Sequence, residues 1–124
     1  MTDHVSRRRF LKAAGLAAGG MASLALRVSA EERRRPKVAA IFTVFTYRSH
    51  AHVVLENFLE PYLFNGKQTD PGVDVVSFYA DQTQGGDMSR EVGRKYGIPI
   101  FQSIDEALCL GGKELAVDAV LSIG

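Results

Sequence analysis

Two places in this chain carry side chains whose types and spacing suit ligand chemistry. The first is Thr46-Tyr47-Arg48-Ser49, which follows an apolar run and precedes a helical pattern. The N-terminus of a helix in that position offers free N–H groups and a positive dipole end to an anion, and Arg48 adds charge. An ordinary strand-to-helix turn accounts for the same four residues and is the favoured reading. The second place is Asp81, at the end of the next apolar run. In dinucleotide-binding sheets a carboxylate at that point accepts hydrogen bonds from ribose hydroxyls, although aspartate is also common as a strand-ending turn residue.

The other reactive side chains point to structure. His50 and His52 form an H-x-H pair, but on a helix two residues apart they diverge by about 200°. With no further ligand nearby they read as helix-start residues rather than metal ligands. Cys109 lies in Ala107-Leu108-Cys109-Leu110, an apolar setting that predicts a buried, inert thiol. No catalytic residue and no metal site is assigned.

The elements that must position these residues alternate along the chain. Lys37 to Phe45 is a nearly continuous apolar run with β-branched and aromatic residues, the pattern of a strand buried on both faces. From about Ser49 to Leu59 the apolar residues recur at helical spacing, and Pro61 ends the pattern. Asn65-Gly66 through Asp70-Pro71-Gly72 reads as a loop. Val73 to Ala80 is a second strand, followed by a helix to Tyr96 with Asp87 as N-cap and Gly97 as its stop. Ile98 to Phe101 is a short third strand. Ser103 and Glu106 have the spacing of a capping box opening a helix that Gly111-Gly112 ends, and Val117 to Ile123 is a fourth strand. The order β-α-β-α-β-α-β predicts an α/β fold, a Rossmann-like open parallel sheet with strand order 3-2-1-4 over residues 38–124, expected to be an incomplete domain.

The N-terminal thirty residues belong to a different argument. Ser6-Arg7-Arg8-Arg9-Phe10-Leu11-Lys12 matches the twin-arginine export consensus, and Ala13 to Leu26 is an apolar run too short for a membrane-spanning helix. Val28-Ser29-Ala30 supplies small residues for a signal peptidase, so cleavage is expected before Glu31, with 31–37 as a linker. These features predict a periplasmic or extracellular protein, the twin-arginine translocase as a transient partner and no stable membrane anchor after cleavage. Residues 31–124 hold ten basic and thirteen acidic side chains, about −3 net. That acidic balance argues against nucleic-acid binding, and a single cysteine excludes an intramolecular disulfide. The sequence leaves the oligomeric state open.

Three segments in register carry a family resemblance: Lys95-Tyr96-Gly97-Ile98-Pro99, Ser103-Ile104-Asp105-Glu106-Ala107-Leu108 and Val117-Asp118-Ala119-Val120. Together they make residues 37–124 resemble the N-terminal domain of the Gfo/Idh/MocA oxidoreductases. The resemblance implies NAD or NADP as cofactor and hydride exchange with a sugar or polyol, the substrate being chosen by a second domain. It also aligns His50-Ala51 with the His-Ala pair after the family's glycine fingerprint, placing the three fingerprint positions at Phe42, Val44 and Tyr47. All three glycines are replaced, and a Val44 side chain stands where the pyrophosphate is expected. The resemblance therefore implies an oxidoreductase domain inactive alone. A non-catalytic Rossmann-like binding or scaffold domain, with a nucleotide or small-molecule ligand at most, is the other reading.

Overall fold

The computed structural model describes residues 34–124, so the export motif, the apolar run and the cleavage site lie outside the described residues. Four parallel strands form an open sheet: β1 (Lys37–Phe42), β4 (Asp74–Ala80), β5 (Ile100–Phe101) and β6 (Ala119–Ile123), in the order β5-β4-β1-β6. Passing between them are helices α1 (His50–Leu59), α2 (Ser89–Tyr96) and α3 (Ile104–Cys109). The architecture is α/β with an all-parallel sheet. β1 sits between β4 and β6, and Val38, Ala39, Ala40 and Phe42 along it are buried, as a strand covered on both faces requires.

The element list expected from the sequence lacks two strands. β2 (Tyr62–Phe64) and β3 (Lys67–Thr69) pair antiparallel as a separate hairpin where the sequence reads as loop. Asn65 and Gly66 between them have φ of 49° and 72°, both left-handed, as the commonest two-residue hairpin turn demands. The hairpin shifts the chain-order numbering of every later strand. Counted among the sheet strands alone, the order across the sheet is third, second, first, fourth.

Helices α1 and α2 share one face of the sheet. Ala40, Phe42 and Phe78 from the strands pack there with Phe45, Ala51, Leu55 and Ile98, joined at the margin by Val92 and Tyr96. Neighbouring strand residues point to opposite faces, so Ser77 faces the other way, toward α3, where its buried hydroxyl donates to the Ala107 carbonyl at 2.8 Å. On the first face α2 comes unusually close. A Cβ on Gly93 would lie 2.8 Å from the Ile98 carbonyl oxygen, and the Ile98 N–H donates to the Gly93 carbonyl at 2.7 Å. Only glycine permits that approach of helix to following loop.

Local signals set most helix ends. Ser49 caps α1, its hydroxyl accepting from the His52 N–H at 3.3 Å, and Ser103 caps α3 by accepting from the Glu106 N–H at 3.2 Å. Glu106 completes that exchange one residue early, accepting from the Gln102 N–H. At α2 the cap position is Met88, not Asp87, and Met88 provides no side-chain bond. Asp87 instead accepts from the Ser89 N–H and hydroxyl at 3.3 and 2.6 Å, one residue outside its expected place. Gly97 ends α2 in the left-handed region at φ 67°, and Cys109, expected buried, is half-buried.

Arg35, expected within a linker, is clamped to the sheet. Its guanidinium contacts Asp74 and Asp70 at 2.6 Å each and donates to the Val73 carbonyl at 2.9 Å. Asp70 is held below the usual carboxylate range first by the Gly72 N–H and then by Arg35. Across α1 and α2 the Tyr96 hydroxyl and, next, Lys95 lower Glu60 in the same way.

Gly93→Ala is expected to cost about 1–3 kcal/mol, because the clashing atom is backbone and cannot turn aside. A drop in the urea midpoint without a change in slope checks it. An unchanged midpoint would show that the helix can back away freely.

Candidate functional site

The carboxyl ends of the four sheet strands lie at one end of the sheet, and the two sequence-identified places are both there. The chain leaves β1 at Phe42 and crosses to α1 through residues 43–49. Within this turn the Ser49 N–H donates to the Thr46 carbonyl at 3.0 Å, while the Ser49 hydroxyl accepts from the Thr46 N–H at 3.2 Å. Arg48 takes a left-handed conformation, φ 62°, which a residue with a Cβ adopts at a cost. Its N–H donates to His52 Nδ1 at 2.9 Å, a bond that needs that nitrogen unprotonated. The Arg48 guanidinium lies 5.3 Å from the Tyr47 ring centroid, and Tyr47 in turn lies 5.4 Å from the His52 ring. Thr46, Tyr47, Arg48 and Ser49 are thus brought together in one self-bonded turn.

The two histidines are held apart by different tasks. His50 Nδ1 is 2.9 Å from the Gly124 carbonyl, whereas His52 serves Arg48. Among the described residues no group of three or more His, Cys, Asp or Glu side chains is placed to hold a metal ion, and no helix is long and apolar enough to cross a membrane.

Phe42, Val44 and Tyr47, where the sequence reading expects fingerprint positions, each have a structural role. Phe42 is 1% exposed, and its ring meets Phe45 and Phe78 edge-on at centroid distances of 5.2 and 5.4 Å. Val44 is half-buried at the turn, and Tyr47 stands 69% exposed above it.

Asp81 is joined to the same sheet end by its backbone, whose N–H donates to the Phe42 carbonyl at 2.9 Å, followed by Gln82 N–H to the Thr43 carbonyl at 2.8 Å. Its carboxylate accepts from the Tyr79 hydroxyl at 3.3 Å. The cavity it lines does not include the 46–49 turn. Instead it lines an open groove of about 710 Å³ between the ends of β4 and β5 and helix α2, with Arg90, Arg94, Ile100, Phe101 and Gln102. The two arginines went unnoticed in the sequence reading. Their signal was there: Arg90 and Arg94 are four apart on the helix that follows Asp81, and such residues share a helix face.

Comparison with protein-family models, with curated proteins and with solved structures finds no match to this chain. The site therefore stands on its geometry.

The aromatic contacts of Phe42 yield a test. Phe42→Ala is expected to destabilise the fold by about 3–5 kcal/mol, the usual loss for emptying a buried aromatic site. Chemical denaturation measures it, and a loss under about 1 kcal/mol would mean that Phe45 and Phe78 close the gap.

Proposed function

We propose that residues 38–124 form the Rossmann-like, nucleotide-binding N-terminal half of a Gfo/Idh/MocA-like oxidoreductase, with NAD or NADP as ligand and no turnover by this segment alone. The observation that supports it best is the position of Asp81. It directly follows the strand next to β1 in an all-parallel sheet and lines an open groove beside the carboxyl ends of β4 and β5, the position at which a carboxylate serves a ribose in dinucleotide-binding sheets. Hydride transfer between nicotinamide and a sugar or polyol would require a second, substrate-binding domain.

A second reading, a non-catalytic binding or scaffold domain, is favoured by one feature. Phe42 is committed to the core and Val44 and Tyr47 occupy the turn, so the backbone cannot approach a pyrophosphate as the fingerprint glycines allow. Calorimetric titration of the full chain with NAD(H) and NADP(H) separates the two. The oxidoreductase reading expects saturable binding that Asp81→Ala weakens by about tenfold, the value of one charge-assisted hydrogen bond. Binding that appears only after Val44→Gly and Tyr47→Gly, with Phe42 left in the core, supports the scaffold reading.

Export through the twin-arginine pathway to the periplasm or beyond completes the proposal, supported by the motif at Ser6 to Lys12. Replacing Arg7 and Arg8 by lysine is expected to leave the chain in the cytoplasmic fraction. Undiminished export of that variant would assign delivery to some other signal.

A further inference from the structure

Helices α1 and α2 enclose a second cleft, away from the groove beside Asp81. Its volume is about 290 Å³, and its floor is the margin of the core: Leu59, Met88, Val92 and Tyr96. Charged side chains form the rim, Glu56 and Glu60 on the α1 side, Glu91 and Lys95 on α2, three carboxylates against one ammonium. Lys95 is taken by Glu60 at 3.1 Å. The surplus negative charge therefore falls on Glu56 and Glu91, neither of which has a cation within ion-pair distance among the described residues. The volume lies just under the range of about 300–1,000 Å³ usual for small-molecule sites, yet it accepts one large side chain. The complement of this cleft is an apolar group with a positive charge beside it.

The chain itself carries that combination. On the β2–β3 hairpin Leu63 is 73% and Phe64 60% exposed, and exposed apolar side chains that cluster mark interaction surfaces. Phe64 and Lys67 stand directly opposite each other across the hairpin, so their side chains leave it on the same face. Lys67 is the only charged residue from Tyr62 to Thr69, and among the described residues no carboxylate lies within ion-pair distance of it. Phe64 does not line the cleft of its own chain.

Cleft and hairpin are neighbours in sequence, since Leu59 and Glu60 line the one and Tyr62 begins the other. A surface that holds a projection beside its complementary hollow can pair with its own copy about a twofold axis, each projection entering the other's hollow. One hairpin tip buries too little surface for a stable complex, and reciprocal exchange doubles it.

We propose that the α1–α2 cleft receives the hairpin of a second copy of this chain, giving a closed twofold dimer. Phe64 of each copy seats on Met88 and Val92 of the other, and Lys67 meets Glu56 and Glu91. This inference is independent of the nucleotide-binding reading above.

Analytical ultracentrifugation of the full chain across the micromolar range tests it. A monomer–dimer equilibrium without larger species is expected. Phe64→Ser should weaken dimerisation at least about thirtyfold, the loss on removing an aromatic anchor, and leave the far-UV circular dichroism unchanged because the side chain is exposed. Two charge-reversed chains, one carrying Glu56→Lys with Glu91→Lys and the other Lys67→Glu, should each dimerise at least about tenfold more weakly alone, since like charges then meet in both contacts. Their equimolar mixture should recover dimerisation, because both contacts of the mixed dimer pair opposite charges; a merely misfolded variant would not recover. A parent chain that stays monomeric throughout would overturn the proposal and leave the cleft to a partner of other sequence. Dimerisation untouched by these substitutions would place the interface elsewhere, and open-ended oligomers would rule out the reciprocal exchange; either result sinks the proposal.

Discussion

Three phenylalanine rings hold the carboxyl end of this sheet together. Phe42 ends β1, Phe45 lies in the turn that leaves it, and Phe78 comes from β4; each is within about 6 Å of the other two and meets them edge-on, the longest separation being 6.1 Å between Phe45 and Phe78. Edge-on aromatic pairs add about 0.5–1.5 kcal/mol apiece beyond the area they bury. The cluster also dictates backbone. The Phe42 carbonyl receives the Asp81 N–H and the Phe45 carbonyl receives the Met88 N–H at 2.7 Å, so the ends of β1 and β4 and the start of α2 are tied to residues whose side chains are buried in the cluster. Position of the Asp81 carboxylate and entry angle of α2, which carries Arg90 and Arg94, both depend on it.

The same cluster separates two kinds of surface at one end of the sheet. On the α1 side the 46–49 turn is bonded to itself through Ser49 and His52. On the α2 side the groove walls bear guanidinium groups without carboxylate partners among the described residues. A hydroxyl or imidazole already engaged must give up a bond to accept another partner, whereas a guanidinium without a carboxylate partner gives up mainly water.

Much of the frame was legible in the residues because local and global preferences agree. The continuous apolar run of β1, the serines at 49 and 103, and Gly97 each have one physical reading, and the structure uses each accordingly. The hairpin was missed although Asn65-Gly66 carries its turn chemistry, because Leu63 and Phe64 are exposed and do not alternate with buried partners as strand patterns usually do. Asp87 was misplaced by one residue since its carboxylate can cap from either position. At the site, Asp81 and the 46–49 turn were visible as polar residues at strand ends. The groove was not, for it is assembled from β4, α2 and β5 together and no single segment announces it. Arg35 was hidden for a similar reason, its partners lying 35 and 39 residues away.

The position of β1 between β4 and β6 also sets a timetable for the molecule's making. The Lys37 N–H bonds to the Asp118 carboxylate across a separation of 81 residues, and β6 closes the second side of β1 from Val38 to Phe42. At roughly 5–20 residues per second, about 4–16 s of synthesis separate the emergence of one strand from the other. Through that interval the most buried strand of the sheet has at least one open edge, a template for stray pairing with other nascent chains. Until β6 emerges, shelter for that edge has to come from outside the sheet.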